Sequence, residues 1–313
     1  MRRLLALITA AVVVLLVAGC GNNAGTNDPY QLVLQTRDAK MDQVQIDFGA
    51  SVKSAGATVT LDPGAIRIVI DSKAGKGSFH MSLPAAALNV PQAQLAQMGI
   101  TGNTIDADVL YDGQALYAKS PILGTLLQLF GAQGGVTIPS GDLTGWLKLL
   151  TKTEIDSLGL GAGAAATPSP GAADAAALKN ELANAGITLT LAGTETKNGV
   201  SASHITAAID VTKFLNSPMV PSTAQKGQLD QLREAAKNAT VTGDLWVDNG
   251  SKHLVEMDVH IVATGTDAGQ ADLTIGFSAP SSPNFDAPAS SVEIPTMQIV
   301  GQLIQMFGAS LGS

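Results

Sequence analysis

The chain has 313 residues, of which 45% are hydrophobic but only 4% aromatic and 14% charged; 18 basic side chains face 26 acidic ones, for a formal net charge of −8. Such an acidic balance is a poor match for a polyanion and excludes nucleic acid as a partner. A single cysteine excludes the disulfide framework on which many exported domains depend.

Chain order begins with Arg2 and Arg3, an apolar and small-residue run from Leu4 to Ala18, and then Gly19 and Cys20. A basic start, a short apolar stretch and small residues before a cut are the three parts of a secretory signal. The run is shorter than the roughly 20 residues that cross a hydrocarbon core. The sequence Val17, Ala18, Gly19, Cys20 resembles the lipobox of bacterial lipoproteins. That resemblance implies a diacylglycerol on the Cys20 sulfur, removal of residues 1–19, and an extracytoplasmic protein lipid-anchored to the outer face of the cell membrane. Each acyl methylene buried contributes about 0.8 kcal/mol, so two or three chains hold a soluble domain firmly. Losing Arg2 and Arg3 lowers the basic count from 18 to 16 and takes the net charge to −10. Residues 20–27, rich in Gly, Asn, Ala and Thr, read as a tether.

From residue 28 onward the expectation is one domain extending to 313. Asp28 before Pro29 is a helix start, with Leu32, Thr36 and Ala39 at helical spacing. The period then changes to two: Val44, Ile46, Phe48 and Ala50; Ile66, Ile68 and Ile70; Phe79, Met81 and Leu83; Ile105, Ala107 and Val109. Asp112 and Gly113 supply a hairpin turn into Leu116, Tyr117 and Ala118. After Pro121, Ile122 to Phe130 is apolar nearly all round and reads as a helix. A second helix is predicted from a cap at Asp142 through Leu143, Trp146, Leu147 and Leu150, which share a face at i, i+3, i+4 and i+7. Gly159 to Ala173 has nothing to bury and reads as a low-complexity linker.

A short helix over 174–185 is followed by renewed alternation at Ile187, Leu189 and Leu191, a tight turn at Asn198 and Gly199, and Ile205, Ala207, Ile209 and Val211. Pro221 to Asn238 reads as a polar helix anchored by Leu229 and Leu232. Strands follow at Val241 to Val247, Val255 to Ile261 and Leu273 to Phe277, the first two joined by a turn at Asp248, Asn249 and Gly250. Beyond Pro295, Met297, Val300, Leu303, Ile304 and Phe307 form an amphipathic pattern. The stretch Leu126 to Ala132 echoes Leu303 to Ala309 position by position in character, which is consistent with two related half-units or with chance similarity of two Leu-rich helices. The fold class is therefore α+β, with an antiparallel sheet wet on one face.

Catalytic constellations are missing. There is no HExxH and no GxSxG, and His80, His204, His253 and His260 are scattered through strand patterns without metal-site spacing. Gly77 stands where a phosphate loop starting at residue 70 would need Ser or Thr, so Ala74 to Ser78 reads as a turn. Asp106, Asp108 and Asp112 lack the bidentate acid of a calcium loop. No enzyme activity, cofactor or metal is expected.

Three stretches carry a family resemblance. Val241 to Asp248 (VTGDLWVD) with the Asn249–Gly250 turn, the strand Leu254 to Val262, and Ala271 to Pro295, containing LTIGFSAPSSPNFDAP and ending in VEIP, look like the second half of the LppX/LprG-type lipoproteins of mycobacteria and related LolA-like lipoproteins. Ile187 to Val211, with Thr194, Glu195, Thr196, Asn198, Gly199, Val200 and His204, is similar to their strand, turn, strand segment. Asp106 to Pro121, with Asp112, Gly113, Leu116 and Tyr117, resembles the end of their first half. The resemblance covers most of residues 28 to 295, and the 159–173 linker and the terminal helix depart from it. It implies a curved antiparallel sheet, an open half-barrel, with helices in its concave face and an apolar cavity that takes acyl chains of lipids or glycolipids for carriage between envelope sites. A monomer with an envelope transporter as candidate partner fits that role. Cavity candidates are Leu126, Leu127, Phe130, Trp146, Leu147, Leu150, Trp246, Val300, Leu303, Ile304 and Phe307; those in the three apolar helical stretches equally suit plain core, and Trp246 suits core packing better than a cavity. The competing reading is a scaffold or sensor-associated lipoprotein with no lipid ligand.

Overall fold

The structure, a computed structural model, describes residues 27–297 apart from 40, 55–56, 86–91, 98–99, 101, 135–141, 159–173, 221–229, 231, 235 and 266–267. Cys20, the terminal amphipathic pattern from residue 298 on, the second copy of the internal echo and the low-complexity linker lie outside the described residues, as does most of the polar helix expected over 221–238.

Helix α1 (Pro29–Asp38) starts where expected: the Asp28 carboxylate accepts from the Tyr30 amide at 3.0 Å, and Pro29 takes the first helical position, where no amide is needed. The strands are β1 (Gln43–Ser54), β2 (Ala57–Asp71), β3 (Lys76–Pro84), β4 (Thr104–Tyr111), β5 (Ala115–Lys119), β6 (Leu147–Thr151), β7 (Ile187–Lys197), β8 (Val200–Ile209), β9 (Ala239–Asp248), β10 (Leu254–Ala263), β11 (Gly269–Ser278) and β12 (Val292–Glu293). Between them lie α2 (Gln92–Gln97), α3 (Pro121–Gly134), α4 (Lys152–Ser157), α5 (Ala175–Asn184) and α6 (Val211–Leu215). The strands join in one sheet of order β12-β6-β5-β4-β3-β2-β1-β11-β10-β9-β8-β7. Its end strands are not paired to each other, so the sheet is open. Each pairing with a defined register is antiparallel except the short β12–β6 contact. The α+β class and antiparallel sheet expected from the alternation, and the open sheet that the resemblance implies, are what the chain adopts.

The turns follow local chemistry. Asn198 and Gly199, at φ 49° and 82°, make the tight β7–β8 hairpin. Asp71 accepts from the Ala74 amide at 2.7 Å and from Gln43, and these bonds hold its carboxyl below the usual range while fixing the β2–β3 turn.

Two segments differ from expectation. The predicted helix over 142–150 is a turn followed by strand β6. Asp142 does cap, but it caps a turn, accepting from the Thr144 amide at 2.9 Å and the Thr144 hydroxyl at 2.5 Å. The chain then pairs with β5, Leu147 opposite Ala118 and Leu150 opposite Leu116. Four apolar residues at helical spacing are too short a signal to separate the two states, and an open sheet edge decided it. Val211, expected to prolong a strand, instead opens α6, because Asp210 accepts from the Lys213 amide and caps a helix.

The chain forms two compact units, Met1–Met41 with Ile46–Gly64 and Thr167–Ser278, and Asp42–Gln45 with Ala65–Ala166 and Ala279–Ser313. The first unit has one large core. Tyr30, Leu32, Val33 and Leu34 of α1 and Leu178 and Leu182 of α5 pack with the inward residues of β7 to β11, among them Ile187, Ile205, Leu245, Met257, Ile261 and Ile275. The buried apolar residues of the second unit fall into three small clusters instead.

Candidate functional site

The second unit owes its most distinctive surface to strand alternation. On β2, Ile66, Ile68 and Ile70 share one face. Register places Met81 opposite Ile66 and Phe79 opposite Ile68 on β3, and then Val109 opposite Phe79, Ala107 opposite Met81 and Ile105 opposite Leu83 on β4. Nine apolar side chains thus line one face of three adjacent strands, with no ionisable group among them. The ionisable side chains point the other way: Arg67, His80, Asp106 and Asp108 occupy the opposite face, where His80 Nδ1 lies 2.7 Å from Asp108 Oδ1.

Coverage of this apolar face is uneven. Toward the sheet edge, Leu147 of β6 is fully buried against Leu127, Leu143 and Ile294, with Leu123 alongside, which seats α3 on this face. At the start of β4, Ile105 packs with Ala85, Leu95, Ile100 and Ile122. Between these two anchored regions Ile66, Ile68, Phe79, Met81, Leu83, Ala107 and Val109 are only half-buried, and Ile70 is 39% exposed. Interior strands of a filled core would show alternate residues fully buried; every residue of β3 is intermediate. The stripe is contiguous and, among the described residues, only part-covered.

Helix α3, PILGTLLQLFGAQG, carries no charge in 14 residues. Leu127, 7% exposed, turns into the cluster with Leu147, whereas Leu126 is 41% exposed on the same helix. The Phe130 side chain lies outside the described residues, as do Val300, Leu303, Ile304 and Phe307. Leu150 is buried on β6. Trp146 is elsewhere: it packs from the side against Val69, Leu110, Ala115, Tyr117 and Phe285, a cluster on the opposite sheet face. There burial and the charge of nearby Asp112 push the Tyr117 phenol above its ordinary value. Trp246 belongs to the first unit and points away from the core that Leu245 and Val247 enter; it packs with Ala202 and Val255. The structure thus brings Leu127 and Leu147 together, and places the two tryptophans apart from them.

The stripe residues were legible as strand alternation, but alternation alone says only that they face inward. The signal that marks them as a site is their incomplete cover. Among the described residues no group of three or more His, Cys, Asp or Glu side chains is arranged to hold a metal ion, and no helix is long and apolar enough to cross a membrane.

No family model and no curated protein matches the chain. Among solved structures, the lipoprotein LppX of Mycobacterium tuberculosis aligns over 82% of this chain and 97% of its own, at 14% identity and a TM-score of 0.35. LprF of Mycobacterium bovis aligns over 86% of this chain and all of its own, at 11% identity and a TM-score of 0.37. A putative outer membrane lipoprotein-sorting protein domain of Vibrio parahaemolyticus aligns over 82% and 93%, at 7% identity and a TM-score of 0.22. The chain is similar to LppX and LprF along most of its length.

Proposed function

We propose that this protein is a lipid-anchored, non-enzymatic carrier that seats an acyl chain of a lipid or glycolipid on the half-covered stripe of the second unit and moves it between sites of the cell envelope. The observation that carries this reading is the contrast within one face: Leu147 is sealed under α3, while Ile68, Phe79, Met81 and Val109, a few residues away on paired strands, are left part-open. Apolar surface withdrawn from water contributes about 25 cal/mol per Å², so an alkyl tail laid along this stripe gains affinity without any polar partner. The chargeless helix α3, with Leu126 exposed, supplies a second apolar wall. The lipobox-like Cys20 would keep the carrier at the outer face of the membrane, beside its source of ligand.

Mass spectrometry of organic extracts from protein purified out of its native membrane tests the reading. The expected result is an acyl lipid in near-equal amount to the protein, in addition to the anchor on Cys20. Protein that carries the anchor and no second lipid would overturn carriage and favour a lipid-free interaction module.

A further inference from the structure

The polar face of the first unit holds an arrangement independent of lipid carriage. Five side chains from five consecutive strands of the sheet form a row that alternates acid and imidazole: Glu195 on β7, His204 on β8, Asp244 on β9, His260 on β10 and Asp272 on β11. His204 Nε2 lies 2.6 Å from Asp244 Oδ1, and its Nδ1 lies 3.5 Å from Glu195 Oε1. His260 Nδ1 lies 2.8 Å from Asp272 Oδ1, and its Nε2 lies 3.5 Å from Asp244 Oδ2. Asp244 is therefore shared between two rings, one on each side of its strand.

Other charged and polar groups of this face are also fixed. On the β7 side, the Trp246 indole N–H donates to Glu195, and its ring stacks on His204 with centroids 4.7 Å apart and planes 13° from parallel. Lys197 lies 3.7 Å over the Trp246 ring, 2.6 Å from Glu256 and 4.0 Å from Asp258. On the β11 side, Gln270 donates to Asp272 at 3.0 Å. Asp258 stands on β10 between His260 and Glu256 and opposite Asp244. Its burial pushes the carboxyl above the usual carboxylate value.

A neutral imidazole has one N–H and one lone pair. Each of these rings has a carboxylate oxygen at both nitrogens, so in either tautomer a lone pair faces an anion. Only the doubly protonated ring is a donor on both sides. The row also concentrates charge: the five acids Glu195, Asp244, Glu256, Asp258 and Asp272 with the one base Lys197 carry a formal net charge of −4, which falls to −2 when both rings are charged.

We propose that this row is a proton-responsive clamp: uptake of one proton each by His204 and His260 turns both rings into bridges between the carboxylates of neighbouring strands and tightens β7 to β11. The clamp closes on acidification from pH 7.5 to 5.5. The carboxylates that hydrogen bonds hold below the usual range, Asp71, Asp142, Glu154 and Asp248, stay ionised throughout that window.

Thermal unfolding of the full mature chain at pH 7.5 and 5.5 tests the clamp, with wild type beside the double variant His204→Gln, His260→Gln. The midpoint of wild type is expected to rise by about 3 °C or more at pH 5.5, and the double variant to lose most of that rise. An equal rise in the variant, or a wild-type midpoint that stays level or falls, would overturn the proposal. Should the double variant fail to fold, the single variants His204→Gln and His260→Gln replace it: each is expected to lose part of the rise, and a full rise in both would count equally against the clamp.

Discussion

Substituting alanine for Gly124 tests the seating of α3 on the second unit, and does so by sign. A Cβ at Gly124 would lie 2.7 Å from the carbonyl oxygen of Leu143, 3.1 Å from its Cβ and 3.2 Å from its carbonyl carbon. Two of these three atoms are backbone, and the turn that holds them is pinned by the bonds from Thr144 to Asp142 and from the Gly145 amide to the Asp142 carbonyl. The turn cannot yield as a flexible side chain would, so the helix must lift. In a helix resting on nothing, Gly to Ala stabilises by about 0.8 to 1 kcal/mol. Overpacking against a rigid neighbour costs about 1 to 3 kcal/mol, and a backbone obstacle puts this site toward the upper end. The net expectation is a loss of about 1 to 2 kcal/mol, or a midpoint about 2 to 8 °C lower. Urea unfolding followed by circular dichroism measures it, with an unchanged slope showing that the same surface is exposed. A variant as stable as wild type, or more so, would refute the seating of α3 on Leu143.

Leu147→Ala should cost about 2 to 5 kcal/mol in the same assay, because the side chain is fully buried among Leu127, Leu143 and Ile294; Leu126→Ala, on the exposed side of the helix, should fall within about 0.5 kcal/mol of wild type. Asp258→Asn should stabilise the first unit at neutral pH. Burial raises that carboxyl above its unfolded value, so its ionisation weakens the fold, and the weakness disappears as pH falls through the raised value. The gain over wild type should therefore shrink on acidification, and a gain that grows instead would reverse the sign of the argument. Cys20→Ala should release the protein from membranes or leave it unprocessed, as fractionation and intact mass would report; normal processing with membrane retention would remove the lipid anchor from the account.

Much of the sheet is visible in the alternation of Ile66 to Ile70, Phe79 to Leu83, Ile105 to Val109 and the strands after Ile187, because a period of two survives as long as one face is buried and the other wet. Helix α1 is equally plain, since Asp28 and Pro29 are local signals that need no tertiary partner. Residues 142–150 mislead for the converse reason: Leu143, Trp146, Leu147 and Leu150 satisfy helical spacing, yet β5 offers Ala118 and Leu116 as cross-strand partners that no local rule contains. The same limit applies to the site. Ile68 and Phe79 read as inward-facing, but whether a neighbouring element seals them depends on where α3 comes to rest. The acid–imidazole row is further from sight still, because Glu195, His204, Asp244, His260 and Asp272 become neighbours only through the register of five strands. In sequence, His204 and His260 look unrelated.

The stripe is tested most directly by titrating the mature protein with a fluorescent alkyl-chain probe, wild type beside Phe79→Asp. The half-buried position of Phe79 lets the variant fold, while a carboxylate in the middle of the stripe denies the probe its dry contact. Saturable binding by wild type with affinity at least about tenfold weaker in the variant, a difference of about 1.4 kcal/mol, is the predicted result. Equal binding by both chains, or none by wild type after lipid has been stripped from it, would contradict an acyl chain seated on this face.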